Sequence, residues 1–319
     1  PADGGADAAP DGAAGALTIP IQLMKAADGQ NFVTVQISVG KSPPFTAFVD
    51  TGSAGLRILD GVVAASDWTL TGQTTPTYGY GSGTQLDGVV ATATLTIGGV
   101  RSPVPIAVES VTAVGCSAAQ PACPAAGKTP STYRFAGTFP AIMGIGMRAN
   151  PNSTKVGSPL PAFTTNGRLL VALGASGTGS IVLDPSDTAR FTNVINLTNK
   201  GPSALGKYPS WDDTQIPFCV NAFCGVGLLD TGAPSSSLTA STAADLMNLG
   251  VPAGSSRVPV GTKLLFTINQ KTSFPFTAGT PTISLGRTST YSNLGQLPYR
   301  SLDVLYDHAA GTIAVAPNN

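Results

Sequence analysis

Two copies of a short acidic motif stand 180 residues apart in the chain. An Asp-Thr-Gly-Ser run begins at Asp50, directly after the apolar run Phe45–Val49, and an Asp-Thr-Gly-Ala run begins at Asp230, directly after Val226–Leu229. Either motif alone is an ordinary turn sequence. Two copies, each placed after an apolar run, are far more specific, and they make the two aspartates the first candidates for chemistry.

A pair of facing carboxyl groups can catalyse peptide hydrolysis without a histidine, a metal ion or a covalent nucleophile. If the two halves of the chain fold alike and pack about an approximate twofold axis, the side chains of Asp50 and Asp230 meet. Two like charges at close range cannot both ionise cheaply, so the pair holds one proton over a wide pH range. One carboxylate then takes a proton from water while the other donates to a peptide carbonyl. The alternative is two unrelated turns that end strands.

The residues beside each aspartate fit a supporting role. Glycine lets the backbone of one loop approach the other closely and supplies N–H donors, and each threonine can reach across to the opposite loop and lock the geometry. The expected supporting set consists of Thr51, Gly52, Ser53, Thr231, Gly232 and Ala233.

Scarcity of other catalytic side chains excludes several enzyme classes. The chain has one histidine, His308, and one glutamate, Glu109. A Ser-His-Asp or Cys-His site would therefore have to use His308, which we expect on the surface of the last hairpin. A zinc site with two or more histidine ligands and a glycosidase built on two glutamates are excluded. Acid–base chemistry falls to aspartate.

Composition predicts a β-rich protein. The 319 residues include 38 glycines and 26 prolines, and 42% are hydrophobic. The 17 basic residues balance 17 acidic ones, and this zero net charge disfavours nucleic acid or an anionic membrane as the main partner. No apolar run approaches the ~18 residues of a membrane span. Short runs rich in valine and threonine, broken by turn residues, indicate mostly antiparallel strands. The predicted strands are Phe32–Val39, Phe45–Val49, Val89–Ile97, Val104–Val108, Ser180–Leu183, Lys263–Ile268 and Thr312–Ala316.

Helical signals are few. The strongest covers Thr239–Leu249, where serine and threonine can cap the start and Gly250 can end the helix. A second, weaker signal covers Gly61–Ala65.

The four cysteines fall into two close pairs, Cys116/Cys123 and Cys219/Cys224. Their spacing favours two local disulfides, which form in oxidising compartments. A four-cysteine zinc cluster is the alternative, although neither spacing is typical of a zinc knuckle.

Several further motifs occur in the order found in pepsin-like aspartic peptidases, and from about Leu17 to Pro317 the chain resembles that family. They are a strand-turn-strand leading to the first aspartate (Asn31–Asp50), a glycine-rich flap hairpin with a tyrosine (Thr77–Gly83), two apolar-apolar-Gly segments (Phe139–Gly146 and Asn293–Gln296) and a C-terminal hairpin (Val304–Pro317). The resemblance implies an all-β, bilobal fold of two pseudo-twofold-related, β-barrel-like lobes with few short helices. It places an N-terminal lobe at residues 17–178 and a C-terminal lobe at 179–319, after a flexible Ala/Gly/Asp/Pro tail at residues 1–16.

For function, the resemblance implies an aspartic endopeptidase. Asp50, Asp230 and an activated water would hydrolyse an extended peptide or protein substrate, with Tyr78 and Gly79 closing over it as the flap. It also implies a monomer that needs no cofactor or metal and is blocked by pepstatin-type inhibitors. The disulfides indicate a secreted or extracytoplasmic protein. The composition of residues 1–16 predicts a flexible tether, and the alternative is a terminus of no consequence. The alternatives are the same fold with a weak or silent site that binds a peptide or protein, and a β-rich surface or adhesion module.

Three positions depart from the family pattern. The family commonly has a tryptophan soon after the first motif, where this chain has Arg57. The Arg57 side chain can stack on Tyr78, meet an acidic substrate side chain or be solvated at a strand end. Trp68, from another loop, is the candidate to replace the family tryptophan. Ala233 lacks a hydroxyl found in pepsins, and Gln296 stands where many members have aspartate. Fewer polar and acidic groups near the pair predict an activity maximum at milder acidity than that of pepsin.

Overall fold

A computed structural model describes residues 16–148, 155–174, 176–203 and 207–318, and the regular structure within these ranges is almost entirely β. The predicted all-β class is therefore confirmed. Residues 1–15 of the predicted tail lie outside the described residues.

Short strands follow one another along the whole described chain. The first are β1 (Leu17–Lys25), β2 (Asn31–Val39), β3 (Phe45–Asp50), β4 (Ala54–Leu59), β5 (Thr69–Thr74), β6 (Tyr78–Gly79), β7 (Thr84–Ala93), β8 (Leu95–Ile97), β9 (Val100–Arg101), β10 (Ile106–Cys116), β11 (Ala141–Ile145) and β12 (Arg168–Leu173). The others are β13 (Thr178–Leu183), β14 (Asn193–Asn196), β15 (Thr198–Pro202), β16 (Pro209–Asp212), β17 (Ile216–Val220), β18 (Phe223–Leu228), β19 (Ser236–Ser237), β20 (Lys263–Ile268), β21 (Thr272–Thr277), β22 (Ile283–Ser284), β23 (Ser292–Asn293), β24 (Leu302–Asp307) and β25 (Thr312–Pro317).

Three sheets combine these strands. The largest has the order β14-β25-β24-β12-β13-β1-β2-β3-β11-β4-β10-β7-β5, with β6, β8 and β9 attached to it. A second has the order β21-β20-β17-β18-β23-β19-β22, and β15 and β16 form a small ribbon. The predicted boundary between residues 178 and 179 falls at the first residue of β13, and it stays a proposal.

The same local topology occurs around both acidic motifs. In the first half β11 pairs parallel with β3 and antiparallel with β4, which places Gly144 opposite Asp50. In the second half β23 pairs parallel with β18 and antiparallel with β19, which places Asn293 opposite Leu228. The two apolar-apolar-Gly segments thus close equivalent loops around the two motifs, as in a bilobal pepsin-like fold.

The helix expected near residue 240 is present but shorter than predicted. Helix α1 spans Ala243–Leu249; the Thr242 hydroxyl accepts from the Asp245 backbone N–H, and Gly250 ends the helix with φ 76°. The short 3₁₀ turns in the described chain are Ala65–Asp67, Leu160–Phe163 and Pro298–Arg300.

The weaker helix prediction at Gly61–Ala65 is wrong. Residues 61–64 form a turn and bends, and only Ala65 begins the 3₁₀ turn Ala65–Asp67. Gly61 has φ 81°, a left-handed conformation that a right-handed helix cannot include.

Both predicted cysteine pairs are disulfide-bonded. The sulfur atoms lie 2.06 Å apart in Cys116–Cys123 and 2.09 Å apart in Cys219–Cys224, so the zinc-cluster alternative is wrong. Two disulfides are consistent with an extracytoplasmic protein. Within the described residues, no helix is long and apolar enough to cross a membrane.

The expected surface position of His308 is wrong. Its side chain is buried, and burial lowers its pKa to about 4 against the opposing effect of Asp307. The Trp211 indole N–H donates to the His308 carbonyl at 2.9 Å, which packs a segment from another sheet over the last hairpin. Tertiary packing of this kind leaves no local sequence pattern.

Candidate active site

The two acidic loops meet in the interior of the molecule. Asp50 ends β3 and Asp230 follows β18 by two residues, and both side chains are buried. A Cβ atom placed on Gly52 would lie 2.4 Å from Cγ of Asp230, and one on Gly232 would lie 2.6 Å from Cγ of Asp50. Each loop therefore packs its glycine against the opposite carboxyl group, and only glycine fits at either position.

Two threonines cross-link the loops symmetrically. The Thr51 backbone N–H donates to Oγ1 of Thr231 at 3.0 Å, and the Thr231 N–H donates to Oγ1 of Thr51 at 2.9 Å. Each hydroxyl then donates across to the strand before the other motif, to the carbonyl of Leu229 or of Val49. These four buried bonds fix the distance and orientation of the two loops.

Electrostatics within the pair favour a shared proton. Burial raises the pKa of Asp50 well above its ordinary value, and the charge of Asp230 and a hydrogen bond between the two carboxyl groups raise it further. Hydrogen bonds from the Ser53 hydroxyl and the Gly52 N–H oppose this rise. A carboxyl group that keeps its proton beside an ionised one is suited to paired acid and base chemistry.

Each carboxyl group accepts one backbone and one side-chain hydrogen bond. Asp50 accepts from the Gly52 N–H at 2.7 Å and from the Ser53 hydroxyl at 2.5 Å. Asp230 accepts from the Gly232 N–H at 2.8 Å and from the Asn293 side-chain amide at 2.5 Å. Asn293 thus supplies the donor that Ala233 lacks.

Sequence reasoning assigned Asn293 only to a loop-closing segment. Its role depends on the pairing of β23 with β18, which carries the amide to Asp230 from 63 residues along the chain. The missing hydroxyl at Ala233 was the one signal that a donor had to come from elsewhere.

Gln296, which stands where many family members have aspartate, is an uncharged residue that hydrogen-bonds two backbone segments. It is buried, and its amide donates to the Thr231 carbonyl at 2.9 Å and to the Asn31 carbonyl at 3.0 Å. These bonds tie the second acidic loop to β2 without adding a charge near the pair.

Arg57 packs against Tyr78, the tyrosine of the expected flap. Its guanidinium carbon lies 3.4 Å from the centre of the Tyr78 ring, and its side chain is fully buried, so the stacking expectation is confirmed and the solvated alternative is wrong. Trp68, the candidate substitute, packs in the main hydrophobic core instead. Gly79 follows Tyr78 in β6 and lines the same cleft.

A buried glutamate holds Arg57 in place. Nε of Arg57 lies 2.9 Å from Oε2 of Glu109, with both side chains fully buried, and Nη1 donates to the Ala54 carbonyl at 2.8 Å. Thr75 donates to the other Glu109 oxygen at 2.9 Å. Burial lowers the pKa of Arg57, but Tyr80, Tyr78 and Glu109 raise it by more, so the guanidinium stays charged. Sequence reasoning missed this role of Glu109.

A second arginine links the cleft to the first acidic loop. Arg148 follows β11, and its Nη2 donates to the carbonyl of Gly52 while Nη1 donates to the Tyr291 hydroxyl at 3.3 Å. Nε lies 3.9 Å from the buried carboxylate of Asp213. Burial lowers the pKa of Arg148, and Asp213 and Tyr291 raise it by more.

The pair opens into a cleft of about 670 Å³. Its walls carry Asp50, Asp230, residues Tyr78 to Ser82 of the expected flap, and residues of the second half such as Arg287 and Asn293. In the part of the chain that the structure describes, no cluster of histidine, cysteine, aspartate and glutamate is arranged to hold a metal ion.

Comparison with known proteins finds similarity in fold alone. No protein-family model and no curated protein matches the sequence. Among solved structures, the chain is similar to an aspartic proteinase from Irpex lacteus, with a TM-score of 0.61 and 13% identity over 95% of this chain and 98% of that one.

Proposed function

We propose that the protein is an aspartic endopeptidase whose catalytic residues are Asp50 and Asp230. The observation that carries the proposal is the symmetric cross-link of Thr51 and Thr231, which holds two buried carboxyl groups face to face at the floor of a cleft. Burying two acids together costs stability, because both side chains are desolvated and repel each other when ionised, and groups perturbed in this way cluster at functional sites.

The geometry supports a direct attack by water. Asp230, whose anion is stabilised by the Gly232 N–H and the Asn293 amide, takes a proton from water as its oxygen bonds to the peptide carbonyl carbon. Asp50, whose pKa is raised, donates its proton to the carbonyl oxygen. The resulting diol collapses as the carbon–nitrogen bond breaks. The departing nitrogen takes the proton that Asp230 received from water, and one diol hydroxyl gives its proton back to Asp50, which restores the pair.

The substrate proposed is an extended peptide or protein segment. Residues from both halves of the chain line the cleft around the pair, and the flap residues Tyr78 and Gly79 would cover the substrate and exclude bulk water. We place the enzyme outside the cytoplasm, acting as a monomer without a cofactor.

Digestion of an unfolded protein tests this function. Wild-type protein should cleave reduced, alkylated casein between pH 3 and pH 6, and an excess of pepstatin should stop it. Mass spectrometry of the products should show internal cuts. Binding of the casein without cleavage would favour the silent peptide-binding alternative, and absence of both would contradict the proposal.

Activity should extend to milder acidity than that of pepsin. The acid role requires Asp50 protonated, and its raised pKa keeps the proton on as the pH rises, so activity is lost only above that pKa. A pH–rate profile should peak well above pH 2. A maximum near pH 2 would contradict this prediction.

Loss of the Asn293 amide should slow catalysis. In Asn293→Ala the Asp230 carboxylate loses the side-chain donor that orients it at 2.5 Å. We expect kcat for a peptide substrate to fall about tenfold, because a hydrogen bond to a charged group is lost.

The matched rescue uses the alanine of the second motif. Ala233→Ser in the Asn293→Ala background places a hydroxyl as Ser53 does in the first loop, and it should restore part of kcat. A kcat of Asn293→Ala equal to that of the wild type would refute the role of this amide.

A further inference from the structure

One wall of the cleft carries two arginines close to a tyrosine ring. The guanidinium carbon of Arg148 lies 5.9 Å from the centre of the Tyr291 ring, and that of Arg287 lies 5.3 Å from the same centre. All three residues line the cleft that holds the aspartate pair. Arg148 also binds the Gly52 carbonyl, so the three residues connect the first acidic loop to this wall.

The two arginines are not equally committed to the protein. Arg148 is bonded to Gly52 and Tyr291 and lies near the carboxylate of Asp213. Arg287 is half-buried and uses Nε alone, which donates to the Tyr291 carbonyl at 3.0 Å. Within the described ranges, neither Nη atom of Arg287 has a hydrogen-bond or ion-pair partner. Its planar pair of donors is thus held in a fixed direction and left open.

The charges near this wall leave Arg287 as the cation without a partner. Arg148 lies 3.9 Å from the carboxylate of Asp213, and the aspartate pair with one proton keeps one negative charge. Lys128 also lines the cleft but stands over the ring of Tyr133 in the first half of the chain. Asp28 lies among the lining residues too, with its Oδ1 accepting from the Gln30 N–H. Among the residues that the structure describes, no ion pair joins Arg287 to an acidic side chain.

We propose that Arg287, supported by Tyr291 and Arg148, binds a carboxylate of the peptide substrate, so that the enzyme selects acidic peptides. This inference rests on the proposed function, because it assigns a substrate class to the same cleft. An immobilised guanidinium with two free parallel donors matches the two oxygens of a carboxylate. The carboxylate is supplied by a glutamate or aspartate side chain or by the C-terminus of the peptide.

Peptide binding to an inactive variant tests the proposal without depending on catalysis. Three versions of one fluorescent ten-residue peptide are titrated into the Asp50→Asn protein at pH 5.5: one with a central glutamate and blocked ends, one with glutamine and blocked ends, and one with glutamine and a free C-terminal carboxylate. We expect the glutamate or the free-acid peptide to bind about five- to tenfold more tightly than the blocked glutamine peptide. Which of the two gains affinity identifies the source of the carboxylate.

Substitutions at Arg287 in the cleft and at Arg101 on the surface show which arginine causes the preference for a carboxylate. Arg287→Gln, in the same background, should abolish the preference, so that the three peptides bind with equal affinity, because glutamine has no charged pair of donors for a carboxylate. Arg287→Lys should keep only part of it, since a point charge replaces the paired donors. Arg101→Gln, the same charge change at an exposed position outside the cleft, should leave the preference intact.

The outcomes separate this inference from the proposed function. Equal affinity for all three peptides, or a preference that survives in Arg287→Gln with an unchanged circular dichroism spectrum and melting temperature, overturns the carboxylate site. Carboxylate-selective binding by a wild-type protein that cuts no peptide supports the site and refutes the peptidase. Active wild-type protein should show the same preference in kcat/KM.

Discussion

Asp230→Asn should abolish peptide hydrolysis, lowering kcat/KM by about 10⁴-fold, while the protein stays folded. An amide cannot take a proton from water, and the neutral side chain no longer raises the pKa of Asp50 through its charge. Asp50→Asn should have an effect of similar size, because it removes the acid that protonates the carbonyl oxygen. Cleavage of a quenched fluorescent peptide at the optimal pH measures both.

The double variant distinguishes a cooperating pair from two independent groups. Since the two carboxyl groups act as one unit, Asp50→Asn with Asp230→Asn should be hardly worse than either single change. Asp60→Asn, an aspartate-to-asparagine change at an exposed position, should retain wild-type activity. More than a tenth of wild-type activity in either single variant would remove that residue from the catalytic pair.

Glu109→Ala should produce the largest loss of stability that the structure predicts. It leaves the fully buried guanidinium of Arg57 without its carboxylate partner, and breaking a buried ion pair costs about 3–5 kcal/mol. Urea unfolding at pH 7, followed by tryptophan fluorescence, measures the free energy of unfolding. A loss below 1 kcal/mol would show that the pair contributes little.

Removing both charges separates stability from flap position. Arg57→Met with Glu109→Met replaces the pair by apolar side chains of similar length and should recover most of the lost free energy of unfolding. It should not recover the packing of the guanidinium against the Tyr78 ring. The KM of this double variant should therefore exceed that of the wild type although its fold is stable. Full recovery of both quantities would show that Arg57 has no part in positioning the flap.

The location of the aspartate pair could be predicted because its determinants are local. Each motif follows an apolar strand and contains the glycine that close approach demands, so Asp50 and Asp230 are visible in the sequence. The β class follows equally from short runs of valine and threonine between turn residues. The helix at Ala243–Leu249 follows from its capping residues, although its first turn was placed too early.

The residues around the pair could not be predicted because strand register brings them together. Glu109 reaches Arg57 through the parallel pairing of β10 with β4, which sets the two residues opposite each other. An arginine within the buried run Ala54–Leu59 was a signal that a buried partner must exist, and the chain offers only one glutamate. His308 was misplaced for the same reason, since the segment that covers it comes from a separate sheet.

The most direct test of the central claim is a crystal structure of the protein with a peptide inhibitor that carries a hydroxyl group in place of the scissile carbonyl. The account predicts that this hydroxyl lies within hydrogen-bond distance of carboxyl oxygens of both Asp50 and Asp230, beneath Tyr78. An inhibitor hydroxyl that contacts one aspartate alone, or an inhibitor bound outside this cleft, would contradict it.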